Sequence, residues 1–518
     1  MNIIMSLVLI TTSGIGSRLK EHSKYTNKSL IKVGDKYAIC HIIESYPEIT
    51  RFVITLGYFG NFVRDFLILA YPNRDIKFIE VDCYQGPGSS LGYSMLCAKA
   101  QIQEPFIFHC CDSILLEKIQ PLTQNTIFVS KHLDYMSYSS ITVTNNIVSQ
   151  IYEKGYEYND YIYTGIVYIH DYNIFWRILD ELYENDKNNT SLSDIHSLSK
   201  MIEYGSIFSY KVVDKYYDTG NLISYSNICK VFKSSYDILE KNDESLCFLD
   251  NMVIKFFYNS DINIKRVKRG LNLYPLAPKI INYKDNFMAM EYVSGIVLSE
   301  YKGYGEIIKL LEWAKNNLWI NPCIDSRFIL SCENFYYNKT IDRINKIPFI
   351  STEVNIINKI NIGSIDSLLK CTPFANLYTD IFYKFHGDFI LDNIIKTEKG
   401  FILLDWRQEF DKELYYGDMY YDLAKLRHNI IFNHKNIVNN LFTVEENESS
   451  IYIDLKCNYM LMKQLDEYNK FINEHNYDLK KIEILTAIIW LNMAPLYTGN
   501  LSKFLFYFGK LNLHIALS

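Results

Sequence analysis

Three side chains toward the C-terminal end of the chain have the types and spacing that phosphoryl transfer demands. Asp388 and Asn393 stand five residues apart in His386-Gly387-Asp388-Phe389-Ile390-Leu391-Asp392-Asn393, and Asp405 follows twelve residues after Asn393, closing the apolar run Phe401-Ile402-Leu403-Leu404. A carboxylate such as Asp388 can accept the proton of an attacking hydroxyl. An Asn and an Asp are hard oxygen donors that can hold magnesium on the phosphates of ATP. Thr397-Glu398-Lys399-Gly400 predicts a hairpin turn that brings Asn393 and Asp405 together. Further on, Asp422 is expected to cap the helix that begins Leu423-Ala424-Lys425, and Asp418 to brace the catalytic loop. Arg407 and Glu409 read either as substrate contacts or as an ordinary ion pair.

A second set lies in the first 220 residues. Gly14, Gly16 and Ser17 form a glycine-containing loop after an apolar run, with Arg18 beside them and Lys28 beyond. Glycines let backbone approach phosphate oxygens, and Arg18 and Lys28 supply positive charge for a triphosphate and its pyrophosphate leaving group. In order there follow Gly86-Pro87-Gly88-Ser89, the strand end Phe108-His109-Cys110-Cys111-Asp112, Glu153-Lys154, Thr164-Gly165 and Tyr217-Asp218-Thr219-Gly220.

Taken together, these elements resemble the sugar-nucleotidyltransferase family, with Asn27 and Gly155 where that family usually has proline. The resemblance implies that Gly86, Gly88 and Ser89 read the nucleobase and ribose, and that Asp112 and Asp218 hold magnesium. It further implies that Glu153, Lys154 and Gly165 form the site of the acceptor phosphate and sugar. The C-terminal set resembles the aminoglycoside and choline phosphotransferase family of small-molecule kinases. That likeness implies Asp388 as base and Asn393 and Asp405 as magnesium ligands. It also casts Lys255 of Met252-Val253-Ile254-Lys255-Phe256-Phe257 as the lysine on the ATP phosphates, and Glu291 to Val293 as the hinge that reads adenine. The helix after Lys255, residues 262–274, carries Lys265, Arg266, Lys268 and Arg269 but no glutamate to pair with it. Ser245 is a candidate for the loop over the phosphates.

The elements that must position these residues follow from length and pattern. At about 150 residues per domain, 518 residues imply two to four domains. Apolar runs at 4–10, 52–56, 76–81 and 106–109 read as strands, and 38–46, 62–70 and 91–100 as the helices between them. This order predicts a mostly parallel sheet with helices on both faces. The expected fold class is α/β: a Rossmann-like, GT-A-like mixed-sheet nucleotidyltransferase domain over 1–230, then a two-lobed protein-kinase-like α+β domain over 235–518. Its small lobe is placed at 235–295 and its large, mainly helical lobe at 296–518. Residues 223–242 read as a helix.

Composition narrows the partners. Hydrophobic content of 48% with 22% charged residues is globular, and a net charge of −6 gives no general attraction to nucleic acid. No run is long enough to predict a membrane span, and the eleven unpatterned cysteines suggest reduced thiols in the cytoplasm. The expected substrates are ATP, a second triphosphate (CTP, UTP or GTP) and a small acceptor, with Mg²⁺ as cofactor; a homo-oligomer stays open. The two resemblances imply consecutive steps, phosphorylation of a sugar and then nucleotidyl activation for surface polysaccharide. Choline is the rival acceptor, and a third alternative makes one domain a binding or scaffolding module.

Overall fold

The computed structural model describes residues 6–131, 135–156, 159–236, 243–301, 303–456 and 459–518. The chain divides into two compact units, Met1–Ser260 with Asn282–Met290, and Asp261–Ile281 with Glu291–Ser518.

The first unit is built around β1 (Leu7–Thr11), whose five residues are all buried. Such a run belongs to a strand covered on both faces. It pairs in parallel with β2 (Arg51–Leu56) and, on its other side, with β4 (Phe106–Cys110); β3 (Ile76–Glu80) extends the sheet beyond β2. Alternation along β1 divides the core. Val8 and Ile10 pack with α1 (Ala38–Glu44) and α2 (Gly60–Ala70). Leu7 and Leu9 pack with α3 (Leu91–Ala98), α4 (Tyr172–Asn185) and α5 (Asp194–Glu203). Each large aliphatic side chain so buried contributes about 1.5–3 kcal/mol.

The parallel expectation holds for the order β3-β2-β1-β4 and fails at the next neighbour. Past β4 the pairings with β9 (Tyr161–Ile169), and those of β9 with β6 (Thr126–Ser130) and β7 (Ser140–Thr144), are antiparallel. The reason is local at β7, which returns into β8 (Ile147–Tyr152) through Asn145-Asn146 at φ 51° and 63°. That is the twist of a tight hairpin and cannot make a crossover. β10 (Ser209–Val212) lies parallel to β6, and β11 (Tyr216–Asp218) pairs with β5 (Ser113–Leu115), setting Asp218 opposite Ser113.

The sequence boundary at 230–235 is not where the units divide. The helix there is α6 (Leu222–Val231), shorter than the 223–242 expected, and 237–242 lie outside the described residues. The strands β12 (Glu244–Leu249) and β13 (Met252–Phe257) belong to the first unit. Their apolar face joins its core, with Cys247, Ile254 and Phe256, and beside them Phe287, packed among Tyr37, Cys40, Phe62 and Phe66. Ser245 is on β12, bonded to the Tyr37 hydroxyl at 2.6 Å, so it is a strand residue and not part of a phosphate loop.

In the second unit, α7 (Ser260–Leu273) is followed by a mainly helical body that includes α8 (Glu306–Asn317), α9 (Phe328–Glu333), α10 (Lys339–Ile344), α11 (Met419–Ile431), α12 (Tyr459–Glu474), α13 (Leu479–Met493) and α14 (Gly499–Leu517). A small four-stranded sheet, residues 356–361 and 442–455, interrupts the helical pattern that was expected. The expected hairpin is present as β14 (Ile394–Thr397) and β15 (Gly400–Leu403), in register Ile394↔Leu403. Among the described residues no helix is long and apolar enough to cross a membrane, and the described cysteines are free thiols.

Candidate active sites

The carboxyl ends of β1 and β4 open into a cavity of about 670 Å³ in the first unit. Gly14, Arg18, Lys28, Ser89, Asp112, Glu153, Lys154, Gly165 and Asp218 all line it. Gly16, Ser17, Gly86 and Gly88 are not among the lining residues, although Gly86 shapes the loop by accepting a hydrogen bond from the Ser89 hydroxyl at 2.7 Å.

The floor is set by close approach. Gly165 lies at φ +77°, and a Cβ there would meet the Cβ of Cys110 at 3.0 Å, so this position needs glycine. Beside it, a Cβ on Gly220 would lie 2.9 Å from an Asp218 oxygen and 3.2 Å from an Asp112 oxygen, so both carboxylates border one small space. Lys28 reaches the same place, its Nζ 3.2 Å from Asp112 Oδ2. Burial alone would lower the Lys28 ammonium, but the Asp112 carboxylate overrides this and raises it. Burial likewise opposes the charge on Asp112, and Lys28 reverses that and holds its carboxyl below the usual range. Asp218 moves the other way, pushed up by burial and by the like charge of Asp112. Two carboxylates so placed, one destabilised by the other, fit a divalent cation, although among the described residues no three His, Cys, Asp or Glu converge on one point.

The turn that carries Lys28 is fixed without the family's proline. The buried Asn27 side chain donates to the carbonyls of Thr12 at 2.8 Å and Tyr58 at 2.6 Å, and accepts from the Ser29 amide at 2.9 Å. Around the far wall stand groups that sequence reasoning missed. Tyr163 donates to the buried Asp194 at 2.7 Å, Tyr138 donates to Asp218 at 3.2 Å, and Tyr216 and His196 also line the cavity. His196 lies 3.3 Å from Glu153. Asp194 follows Ser193 at the start of α5, where the sequence reads as an ordinary cap.

In the second unit, Asp388 and Asn393 meet: the Asn393 amide donates to Asp388 Oδ2 at 3.1 Å and to its carbonyl at 3.0 Å. Asp388 Oδ1 is 2.7 Å from Nζ of Lys425 on α11, a partner that no motif flagged. Burial opposes the Asp388 charge, but Lys425 overrides it and holds the carboxyl below its usual range. Asp405 ends the hairpin at φ 48°, a left-handed conformation costly for a non-glycine residue and frequent at functional sites. It pairs with Arg266 of α7.

The supporting roles given to the later aspartates are exchanged. Asp418 caps α11, accepting from the Tyr420 amide at 2.9 Å. Asp422 braces the loop that carries Asp388, accepting from the amides of His386 at 2.8 Å and Gly387 at 2.6 Å. Both stand where a helix begins, and only the loop's position separates their roles. Arg407 and Glu409 do not pair with each other: Arg407 Nε donates to the Glu409 carbonyl at 3.0 Å, while Lys265 holds the Glu409 carboxylate at 2.8 Å. The partner of Lys255 is Glu244, 3.4 Å away across the β12–β13 pair and within the first unit. Of the helix cations, Arg269 serves the segments on either side of the hairpin, donating to the carbonyls of Phe385, His386 and Arg407. Of the hinge, the Glu291 amide is already bonded to the Lys279 carbonyl at 3.0 Å, and Val293 is half-buried.

No protein-family profile matches the chain, and no curated protein matches it. Several solved structures are similar to part of it. One is a CTP:phosphocholine cytidylyltransferase from Streptococcus pneumoniae, 17% identical over 44% of this chain and 100% of that one, TM-score 0.40. Another is an inositol-1-phosphate CTP transferase from T. maritima, 17% identical over 45% and 98%, TM-score 0.36. A third is a UDP-glucose pyrophosphorylase from Acinetobacter baumanii, 14% identical over 43% and 92%, TM-score 0.34. Likenesses this remote do not fix an activity.

Proposed function

We propose that the chain is a bifunctional transferase, a nucleotidyltransferase in its first unit and a small-molecule kinase in its second. The observation that carries this is that each unit gathers its own side-chain oxygen donors with a lysine on a carboxylate, Asp112, Asp218 and Lys28 in one, Asp388, Asn393 and Lys425 in the other.

In the first unit a phosphate oxygen of the acceptor attacks the α-phosphorus of a nucleoside triphosphate, and the bond to the bridging oxygen breaks as pyrophosphate leaves. Arg18 and Lys28 receive the leaving charge, Lys154 holds the acceptor phosphate, and Gly165 gives room for what the phosphate is attached to. In the second unit Asp388 orients the acceptor hydroxyl and takes its proton while the γ-phosphoryl group passes from ATP. Lys425 keeps Asp388 ionised for that task. The backbone from Glu291 to Val293 is assigned to adenine; Lys255, which pairs with Glu244 within the first unit, is given no part in this step. Asp112 with Asp218, and Asn393 with Asp405, would hold magnesium, which would supply neutralisation of phosphate charge; Asp405 is paired with Arg266. The product is a nucleoside-diphosphate-activated compound of the kind used for surface polysaccharide, made in the cytoplasm from a sugar acceptor.

A second reading, choline as acceptor, is favoured by the lining of the first cavity, where Tyr138, Tyr163 and Tyr216 stand with Asp194 and Glu153; aromatic rings and carboxylates suit a quaternary ammonium. Incubating the chain with each of the four triphosphates and a panel of phosphate esters, and measuring pyrophosphate, tests the first activity. Release with a sugar 1-phosphate supports the main reading, release with phosphocholine alone the second, and none with any pair removes both.

A further inference from the structure

Beside Asp388 the second unit gathers four cations that its own acids do not balance. Lys339 and Arg343 stand one turn apart on α10, Arg407 follows Asp405 by two residues, and Lys425 projects from α11. The ring of Phe335 joins them: Lys339 Nζ lies 3.7 Å and Arg407 Cζ 4.9 Å from its centroid. Tyr421 packs on the same ring at 4.9 Å. Arg407 is tied to the catalytic loop through its amide, bonded to the His386 carbonyl at 3.0 Å. Arg343 donates to the Asn492 carbonyl at 2.7 Å. The nearby Asn492 Oδ1 is buried with no hydrogen-bond partner among the described residues.

Only Lys425 has a carboxylate, Asp388. Among the described residues Lys339, Arg343 and Arg407 have no carboxylate within ion-pair distance. Burial first, then the charges of Arg407, Arg343 and Lys425, push the Lys339 ammonium well below its usual range, so the cluster is repulsive as it stands. Half-buried like charges without counter-ions are an anion site in waiting.

We propose that Lys339, Arg343, Arg407 and Lys425 form the acceptor subsite of the second unit, and that the alcohol phosphorylated there carries an anionic oxyacid group, carboxylate or phosphate, beside its reacting hydroxyl. The proposal rests on the kinase reading, because the cluster is assigned to the acceptor through its contact with Asp388. The nucleotide's phosphates are assigned to the other side of that reaction, at Asn393 and Asp405. In the step, the acceptor oxygen bonds to the γ-phosphorus, the bond from that phosphorus to the β–γ bridging oxygen breaks, ADP leaves with the electron pair, and the hydroxyl proton goes to Asp388. A quaternary ammonium is repelled by such a cluster, so the inference opposes choline as the kinase substrate.

The test is ADP release by the full chain with ATP, magnesium and four probes: D-glycerate, glycerol 3-phosphate, glycerol and choline. The expected result is kcat/KM at least tenfold higher for an anionic probe than for glycerol or choline. Lys339→Met and Arg343→Met should each raise KM for that probe about tenfold with KM for ATP unchanged, and Lys339→Arg should restore it. Preference for glycerol or choline overturns the proposal and leaves the kinase standing, as does a rise in KM for ATP alone. No ADP with any probe overturns the kinase reading and the proposal together.

Discussion

Asp112 and Asp218 show how much a single pair of side chains decides. Each alone is a strand-end acid of the kind that commonly caps a turn, and it is their convergence at Gly220 that makes the pair a candidate for the phosphate chemistry proposed. Asp112→Asn should therefore lower pyrophosphate release by at least a hundredfold, a loss of roughly 3 kcal/mol in transition-state stabilisation; a change under fivefold would remove Asp112 from the machinery. Asp422 offers a different test. Burial pushes its carboxyl up to about 6, against the hydrogen bonds from His386 and Gly387. The folded protein therefore binds this proton more tightly than the unfolded chain. The stability contributed is complete below about pH 4 and is lost as pH rises through about 6, amounting to roughly 3 kcal/mol. Urea midpoints of the second unit at pH 4.5 and 7.5 should show this loss in the wild type and not in Asp422→Asn; identical pH dependence in both would contradict it. The exchange of roles between Asp418 and Asp422 marks the limit of reading residues alone. A spacing of four puts both at the start of one helix, and the sequence does not encode which faces the loop.

At the scale of elements, the strands of the first sheet were legible because β1, β2 and β4 are continuous apolar runs, and the hairpin because Thr397 to Gly400 is turn chemistry between two such runs. Less legible was what replaces a missing signature residue. Asn27 supplies by side-chain hydrogen bonds the rigidity that proline would supply covalently. Asn27→Ala should destabilise the first unit by about 2–3 kcal/mol, since it strands buried carbonyls, read as a lowered urea midpoint by tryptophan fluorescence. An unchanged midpoint would show that the turn holds itself. In place of the expected glutamate, helix α7 turns Arg266 to Asp405, Lys265 to Glu409 and Arg269 to the backbone of the loop that carries Asp388. Arg269, buried and bonded to three carbonyls, should cost about 3–5 kcal/mol when replaced by methionine, with a loss of ADP release that follows the loss of folded protein by circular dichroism. Retained folding with lost activity would instead place Arg269 in the chemistry.

For the whole molecule, the two sets of motifs were readable far apart in sequence, but the division of the chain was not. The apolar run at 252–257 reads as a strand without naming what covers it, and the structure packs Ile254 and Phe256 with Phe62 and Phe66 of the first unit. Lys255 accordingly belongs to the first unit and Asp388 to the second. Whether each unit performs its own transfer, as proposed, is tested most directly by reciprocal variants of the full chain. Asp388→Asn should abolish ADP release from ATP and a hydroxyl acceptor while pyrophosphate release from a supplied phosphate ester persists, and Asp112→Asn should do the reverse. Loss of both activities in either folded variant would contradict it.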